Sequence, residues 1–247
     1  MTQTNNANQY RIPILMYHQI AAAPVKGSPY RRLYVSPQTF AKQMAFLRKL
    51  GYRGLSMAEL FPYLQGMKSG KVFGITFDDG YLNNLSNALP VLQKNGFSST
   101  CYVVGKLLGK TNLWDEEIGI RQVPLMDQKD LKQWVSGGQE VGAHTLSHAR
   151  LPSLSKNQAR EEIVDCKRLI ENLIGVPVQH FCYPYGNFDD SHVDIVRDGG
   201  YFTATTTARG RCKQGGDMFR LPRITVARRT TRLGLWLRMA FGYRGNA

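Results

Sequence analysis

The chain has only four cysteines, Cys101, Cys166, Cys182 and Cys212, and no two of them form a Cys-x-x-Cys pair. A structural zinc knot built from thiolates needs that paired spacing, so it is excluded. Cys101 and Cys182 lie in apolar runs and read as small buried thiols in a reducing compartment. No apolar run approaches the ~18–20 residues that span a bilayer. The first thirteen residues are polar, with no basic stretch followed by an apolar one. This predicts a cytoplasmic protein, although a chain whose leader had been removed would read the same. No internal repeat or low-complexity tract interrupts the sequence, which argues against solenoids, linkers and disorder. Acids are scarce: 18 Asp and Glu stand against 32 Lys and Arg, giving a formal net charge of +14. Beyond Arg209 the single acid is Asp217. Such an imbalance favours anionic partners, either nucleic acid, lipid headgroups or a phosphate-bearing substrate. The sequence carries no recognisable nucleic-acid motif, so no nucleic acid is expected.

What is present is ordinary for a globular protein: 43% hydrophobic and 20% charged residues over 247 positions, the size of one α/β barrel domain. Ile14 to Tyr17 reads as a buried strand. Ser36 is a good N-cap with Pro37 at the first helical position, and Phe40, Met44, Leu47 and Leu50 recur at helical spacing. Val72 to Phe77 is an apolar strand stopped by Asp78-Asp79-Gly80. A helix over 83–95 with Gly96 at its end, a strand over 100–104, a helix over 127–135 and a short strand over 140–143 follow. Ser155 caps a long amphipathic helix to Gly175, and strands are expected at 181–183, 202–206 and 224–226. Alternating strands and helices predict a parallel sheet with helices outside, either a barrel or an open doubly wound sheet, with working residues on the loops after the strands.

Two motifs carry chemistry. Thr76-Phe77-Asp78-Asp79-Gly80-Tyr81 places adjacent carboxylates at a strand end, where they repel unless a cation lies near; a metal bound by one leaves the other free as a base. Asp-Gly is also a common turn pair, so an acidic turn is the bland alternative. His144-Thr145-Leu146-Ser147-His148 holds two of the five histidines four residues apart, a spacing that serves one metal ion. Two imidazoles and one carboxylate suit Zn²⁺ or another divalent first-row ion and leave positions open for water and substrate. His180 and His192 are expected to be structural, His192 solvated at a polar helix start. Trp114, followed by Asp115, Glu116 and Glu117, and Tyr81 are candidates for the wall of a binding groove.

Together the two motifs resemble the signature of the polysaccharide deacetylase superfamily, also called the NodB-homology fold or carbohydrate esterase family 4. The resemblance runs over residues 10–227. It includes Met16-Tyr17-His18, the helix Ser36–Leu50 with Gly51-Tyr52, Tyr183-Pro184-Tyr185-Gly186 and Leu221-Pro222-Arg223-Ile224. It implies a single-domain α/β fold, a distorted (β/α) barrel, and a hydrolase that removes acetyl groups from N-acetylated sugars. It also implies one divalent ion, Zn²⁺ first and Co²⁺, Ni²⁺ or Mn²⁺ as alternatives, held by Asp79, His144 and His148. Asp78 would be the base, and the backbone N–H of Tyr185 would help hold the oxyanion. This sequence departs from the pattern twice. The family often has an arginine shortly before Pro-Tyr-Gly that orients the base; Cys182 stands there, and Arg223 from another strand is the candidate replacement. The family's late Leu-x-His acid is missing, since no histidine follows His192. Some members with an early Met-Tyr-His motif are circularly permuted, and by that resemblance His18 is the general acid.

The last segment, 228–247, mixes arginine with large apolar residues and reads as a basic amphipathic tail beyond the catalytic unit. Such a stretch either contacts an anionic membrane peripherally or packs on the barrel with its arginines in water. An acetylated carbohydrate is the expected partner. An O-acetyl esterase acting on xylan-like glycans and a non-catalytic glycan-binding module on the same fold are the rival readings.

Overall fold

The computed structural model describes residues 11–243. Tyr10, the first residue of the expected catalytic unit, and the last four residues of the tail lie outside that range. Strand β1 (Ile14–Tyr17) pairs with β3 (Val72–Phe77), and the chain then adds β4 (Thr100–Val103), β5 (Glu140–Ala143), β6 (His180–Cys182), β7 (Thr203–Arg209) and β8 (Leu221–Thr225), each parallel to the one before. β8 pairs back onto β1 through Ile224↔Leu15, so seven parallel strands close into a barrel. The expected (β/α) barrel, rather than the open sheet, is the architecture found.

An eighth strand, β2 (Arg53–Leu55), covers only the first half of β3. Gly74 pairs with both Leu55 and Ile14, and Thr76 with both Met16 and Thr100, so β2 and β4 share one edge of β3 in succession. Sequence reading passed over β2 because Gly54 and a leading arginine obscure a three-residue strand. A Cβ on Gly54 would press on Phe97 at 2.9 Å and on Ile75.

Helices wrap the barrel at each of the predicted places. α1 (Pro37–Lys49) is capped by Ser36, whose side chain accepts from the Thr39 N–H, and it buries Phe40, Met44 and Leu47. α2 (Met57–Leu64), which the sequence reading did not anticipate, follows Ser56 in the same way. The helix expected over 83–95 is two, α3 (Leu82–Asn87) and α4 (Leu89–Asn95). Pro90 is the reason: it lacks an N–H and its ring collides with the carbonyl four residues back, so the chain restarts at Leu89. α5 (Gln128–Ser136) is closed by a capping box between Asp127 and Asp130. The long helix after Ser155 also holds a discontinuity. α6 (Lys156–Arg160) passes through a π turn, Glu161–Asp165, into α7 (Cys166–Ile174), which ends on Gly175 in the left-handed region.

α8 (Asp190–Asp198) corrects the reading of His192 as solvated. The imidazole is buried because its Nδ1 accepts the Asp189 N–H, closing a capping box at the helix start. α9 (Arg232–Phe241) packs Leu235 and Met239 into the main core and leaves Leu233, Leu237 and Phe241 exposed. No helix among the described residues is long and apolar enough to cross a membrane.

Candidate active site

The site is assembled where strands β1, β3, β5, β6 and β8 run out, the end of a parallel barrel where side chains from several loops converge. His18 follows β1 directly. Its carbonyl accepts from Asn84 on α3, and the same asparagine accepts the Ile20 N–H, so the turn after β1 is pinned from both sides. Asp78 and Asp79 follow β3, with the Asp78 N–H still bonded to the Tyr17 carbonyl. Asp79 then turns the chain at φ 76°. His144 and His148 sit on the loop after β5, in a turn that puts Thr145 at φ 65° and His148 at φ 63°. Tyr185, after β6, has φ 60°. Of the five non-glycine residues with positive φ among those described, these four belong to the site, and the fifth, Tyr30, lines the same cleft. L-residues adopt this region at a cost of order 1–3 kcal/mol each, and such strain gathers where function requires it.

The adjacent carboxylates do not face each other's charge. Asp78 accepts from Arg223 in a two-pronged bond, Nη1 to Oδ1 at 2.7 Å and Nη2 to Oδ2 at 2.8 Å. Arg223 is fully buried and also donates to the Thr206 carbonyl, the Thr76 hydroxyl and the Cys182 sulfur. The guanidinium from β8 thus reaches into the space beside Cys182. His18 Nε2 lies 3.9 Å from Asp78 Oδ2. Burial alone would push the Asp78 carboxyl up; Arg223, then His18, reverse this and hold it below the usual carboxylate value. The pair explains how two neighbouring aspartates both stay ionised, which the sequence reading had assigned to a cation alone.

Asp79 turns to the imidazoles. Its Oδ1 lies 3.5 Å from His144 Nε2 and 3.4 Å from His148 Nε2. Burial pushes its carboxyl up, but hydrogen bonding to His144 and His148 wins and holds it well below the usual range. His144 Nδ1 is 2.7 Å from the Cys182 carbonyl, which can only accept, so Nδ1 carries a proton. Burial pulls the imidazole down, but Cys182 and Asp79 win and hold it well above its usual value, so an ion bound at Nε2 takes the place of the proton that faces Asp79. The His148 ring stacks on Trp114, with centroids 4.3 Å apart, and meets Tyr185 edge-on at 4.6 Å. Burial pulls the His148 imidazole down, toward the neutral form a cation needs.

The three donors fit a divalent ion. Bonds of 2.0–2.2 Å in tetrahedral geometry separate neighbouring ligand atoms by about 3.4 Å, the spacing Asp79 keeps to both imidazoles. Three protein ligands leave a position open, as in catalytic rather than structural sites. A second grouping, Asp78, His144 and Cys182, brings ligand atoms within 4.8 Å of one another, but there Arg223 already occupies Asp78.

Sequence reading missed two supports. The Glu162 carboxylate accepts from the Ser147 N–H at 2.9 Å and the Ser147 hydroxyl at 2.7 Å, while its carbonyl accepts from Leu146. The π turn brings that residue's backbone and side chain to the His144–His148 loop together. Gly186, at φ 71°, follows Tyr185 so closely against Thr207 that any Cβ would overlap the threonine hydroxyl. The cleft itself has a volume of about 580 Å³; Trp114, Asp115 and Tyr81 line it, while Glu116 and Glu117 point to solvent. His180 is elsewhere: fully buried in β6, with Nδ1 2.8 Å from the Thr203 hydroxyl.

Known proteins share the architecture just described. The family described as Polysaccharide deacetylase matches residues 65–204. YxkH of Bacillus subtilis, which carries the name of a polysaccharide deacetylase, is 30% identical over 219 residues, covering 88% of this chain and 72% of its own. A peptidoglycan-N-acetylglucosamine deacetylase of Bacillus cereus is 25% identical over 134 residues, 54% of this chain and 55% of its own. The Streptococcus pyogenes deacetylase PplD, solved in complex with acetate, superposes with a TM-score of 0.82 at 25% identity, over 94% of this chain and 99% of that one. The chain belongs to the polysaccharide deacetylase family, whose members are hydrolases that remove acetyl groups from carbohydrates.

Proposed function

We propose that the protein hydrolyses the N-acetyl group of an amino sugar within an oligosaccharide, polysaccharide or lipid-linked glycan, with Asp79, His144 and His148 holding one divalent ion. The observation that carries this is the division of labour between the aspartates: Asp79 faces two imidazoles while Asp78, 3.9 Å from His18, is clamped by Arg223. When bound, the ion supplies Lewis-acid polarisation of the acetyl carbonyl and lowers the pKa of a water molecule. The donor set suits Zn²⁺ best, with Co²⁺, Ni²⁺ or Mn²⁺ as alternatives.

Asp78 takes the proton of the attacking water. A carboxylate paired with arginine is a weak base, so it works only on a water whose acidity has been raised, which ties the base to the ion site. The developing oxyanion meets the backbone N–H of Tyr185, a residue that lines the cleft and turns the chain at φ 60°. His18 gives its proton to the departing amine nitrogen as the C–N bond breaks, and acetate and the free amino sugar result. Arg223 holds both Asp78 oxygens in place while this happens and so positions the base.

The segment from Arg228 onward is part of the same unit, with Leu235 and Met239 in the core and Arg238 and Tyr243 lining the cleft, and its exposed Leu233, Leu237 and Phe241, with Arg228, Arg229 and Arg232, touch an anionic membrane surface. The four buried, unpaired thiols support a reducing compartment, the cytoplasm.

The test is acetate release from N-acetylhexosamine oligomers, lipid-linked N-acetyl sugars and acetylated xylan, with and without chelator. Release from the N-acetyl substrates that stops on chelation supports the reading. Release from the xylan ester alone would transfer the assignment to an esterase, and no release from any substrate at any metal loading would leave a binding module.

A further inference from the structure

One stretch of the cleft lining is basic beyond anything the deacetylation chemistry uses. Arg32, Arg209 and Arg238 all line it, and among the described residues none has a carboxylate partner. They arrive from three places: the short 3₁₀ turn Arg31–Leu33, the end of β7 and the middle of α9. They also converge. Arg209 and Arg238 both lie against the Tyr243 ring, at 5.7 and 5.6 Å from its centroid. Arg238 donates to the Thr225 carbonyl and the Thr230 hydroxyl, and the Arg228 N–H two residues before Thr230 donates to the Arg32 carbonyl. The acids of the same cleft do not offset this charge. Asp78 is matched by Arg223, Asp79 faces the two imidazoles, Asp115 accepts from the Asn112 amide, and among the described residues none of the three forms an ion pair with Arg32, Arg209 or Arg238.

Three like charges line one cleft without a carboxylate partner; Arg32 and Arg209 are exposed and Arg238 half-buried, so water and salt screen part of their repulsion and a bound anion removes the rest. A neutral N-acetyl glycan offers no such anion. A single carboxylate carries one charge and pairs with one guanidinium fork; a phosphate carries up to two, with three acceptor oxygens, and accommodates several arginines.

We infer that Arg32, Arg209 and Arg238, with Tyr243 between the last two, form a phosphate-binding subsite, so that the substrate is an N-acetylated sugar bearing a phosphate mono- or diester. This rests on the deacetylase reading for the sugar, while the subsite itself rests on the arginines alone. The phosphate belongs either to a soluble sugar phosphate or to a lipid carrier, and α9 serves both: Arg238 lines the cleft while Leu233, Leu237 and Phe241 of the same helix are exposed.

Binding is measured calorimetrically on the full-length wild-type protein in the presence of chelator, so that turnover plays no part and the Asp78–Arg223 pair stays intact. Ligands are N-acetylglucosamine 1-phosphate, its neutral methyl glycoside, inorganic phosphate, and zwitterionic vesicles with or without a polyprenyl-phosphate-linked N-acetylglucosamine. A charge-assisted pair is worth about 1.5–3 kcal/mol, so the phosphorylated sugar should bind about tenfold or more above the methyl glycoside, falling by about tenfold in Arg209→Gln. Arg32→Gln, whose side chain makes no hydrogen bond to lose in the described residues, should fall likewise, while the exposed control Lys132→Gln should not. Preference for the vesicle-borne sugar over the soluble one assigns the lipid carrier, and the reverse assigns the soluble phosphate; each supports the subsite. Equal affinity for the phosphorylated and neutral sugars, or a preference that survives both arginine substitutions, overturns it. Acetate release confined to neutral glycans by the wild-type enzyme would also overturn it while leaving the deacetylase reading intact. Phosphate-dependent binding with no acetate release from any ligand would do the opposite.

Discussion

Arg223 grips both oxygens of Asp78 from two strands away in the barrel, across 145 positions of sequence, and does so with a guanidinium wholly shielded from solvent. Breaking such a pair from one side leaves a buried, uncompensated charge, which costs about 3–5 kcal/mol. Arg223→Met should therefore lower the melting temperature sharply. Asp78→Asn in the same protein should recover part of the loss, because the orphaned charge is then gone. A double-mutant cycle by thermal denaturation checks this; additive losses would show that the two residues act independently.

Asp78→Asn alone should abolish acetate release while leaving the ion bound, because the ligands Asp79, His144 and His148 are untouched. Metal content by atomic emission, read alongside turnover, separates the roles. An Asp78→Asn enzyme that keeps more than a small fraction of its activity removes Asp78 as the base.

The reach of sequence reading follows from how local each feature is. Asp78 and Asp79 are neighbours, and His144 and His148 share one turn, so both motifs survive in a linear text. Arg223 was legible only as a gap at Cys182 and a spare arginine elsewhere; the bond itself is a product of barrel closure, which brings β8 beside β3 through β1. Hydrophobic spacing foretold the helix after Ser155 but not its π turn, because one extra residue in a turn shifts the apolar face too little to notice. His192 was misjudged for a similar reason. Asp189-Asp190-Ser191 looks solvated, yet a histidine three places after an N-cap can close a capping box as Gln158 does for Ser155. The strained backbone at Thr145 and Tyr185 left no trace, since neither residue type announces positive φ.

Glu162 should prove a positioning residue. It holds the His144–His148 loop through Ser147 and touches neither ligand ring, so its removal should loosen the ion site without unfolding the barrel. Supporting partners of this kind typically change metal affinity 10–100-fold. Glu162→Ala should show such a drop in competition with a chelating dye, and Glu162→Gln, which keeps one acceptor, a smaller one. Unchanged affinity in both would mean that the loop is held by its other bonds, Thr145 to His148 among them.

The ion should also stabilise the fold. A ligand bound to the native state alone at a thousand times its dissociation constant adds roughly 4 kcal/mol. Chelation should lower the melting temperature and Zn²⁺ restore it, and His144→Ala should be insensitive to both. A melting curve that ignores chelator in the wild type would argue that Asp79 and the imidazoles hold no ion.

The exposed stripe on α9 gives the last expectation. Leu233, Leu237 and Phe241 are spaced four residues apart and so share one face, while Leu235 and Met239 of the same helix are buried in the core. Removing the helix would open that core, so truncation confounds surface binding with unfolding. Serine substitution of Leu233, Leu237 and Phe241 leaves the packed face untouched. The wild type should float with anionic vesicles, less so as salt rises, since Arg228, Arg229 and Arg232 act through a screened field. The triple serine protein should lose most of that flotation at unchanged melting temperature. Equal flotation of the two proteins would assign whatever binding occurs to charge alone and leave the apolar stripe without a role.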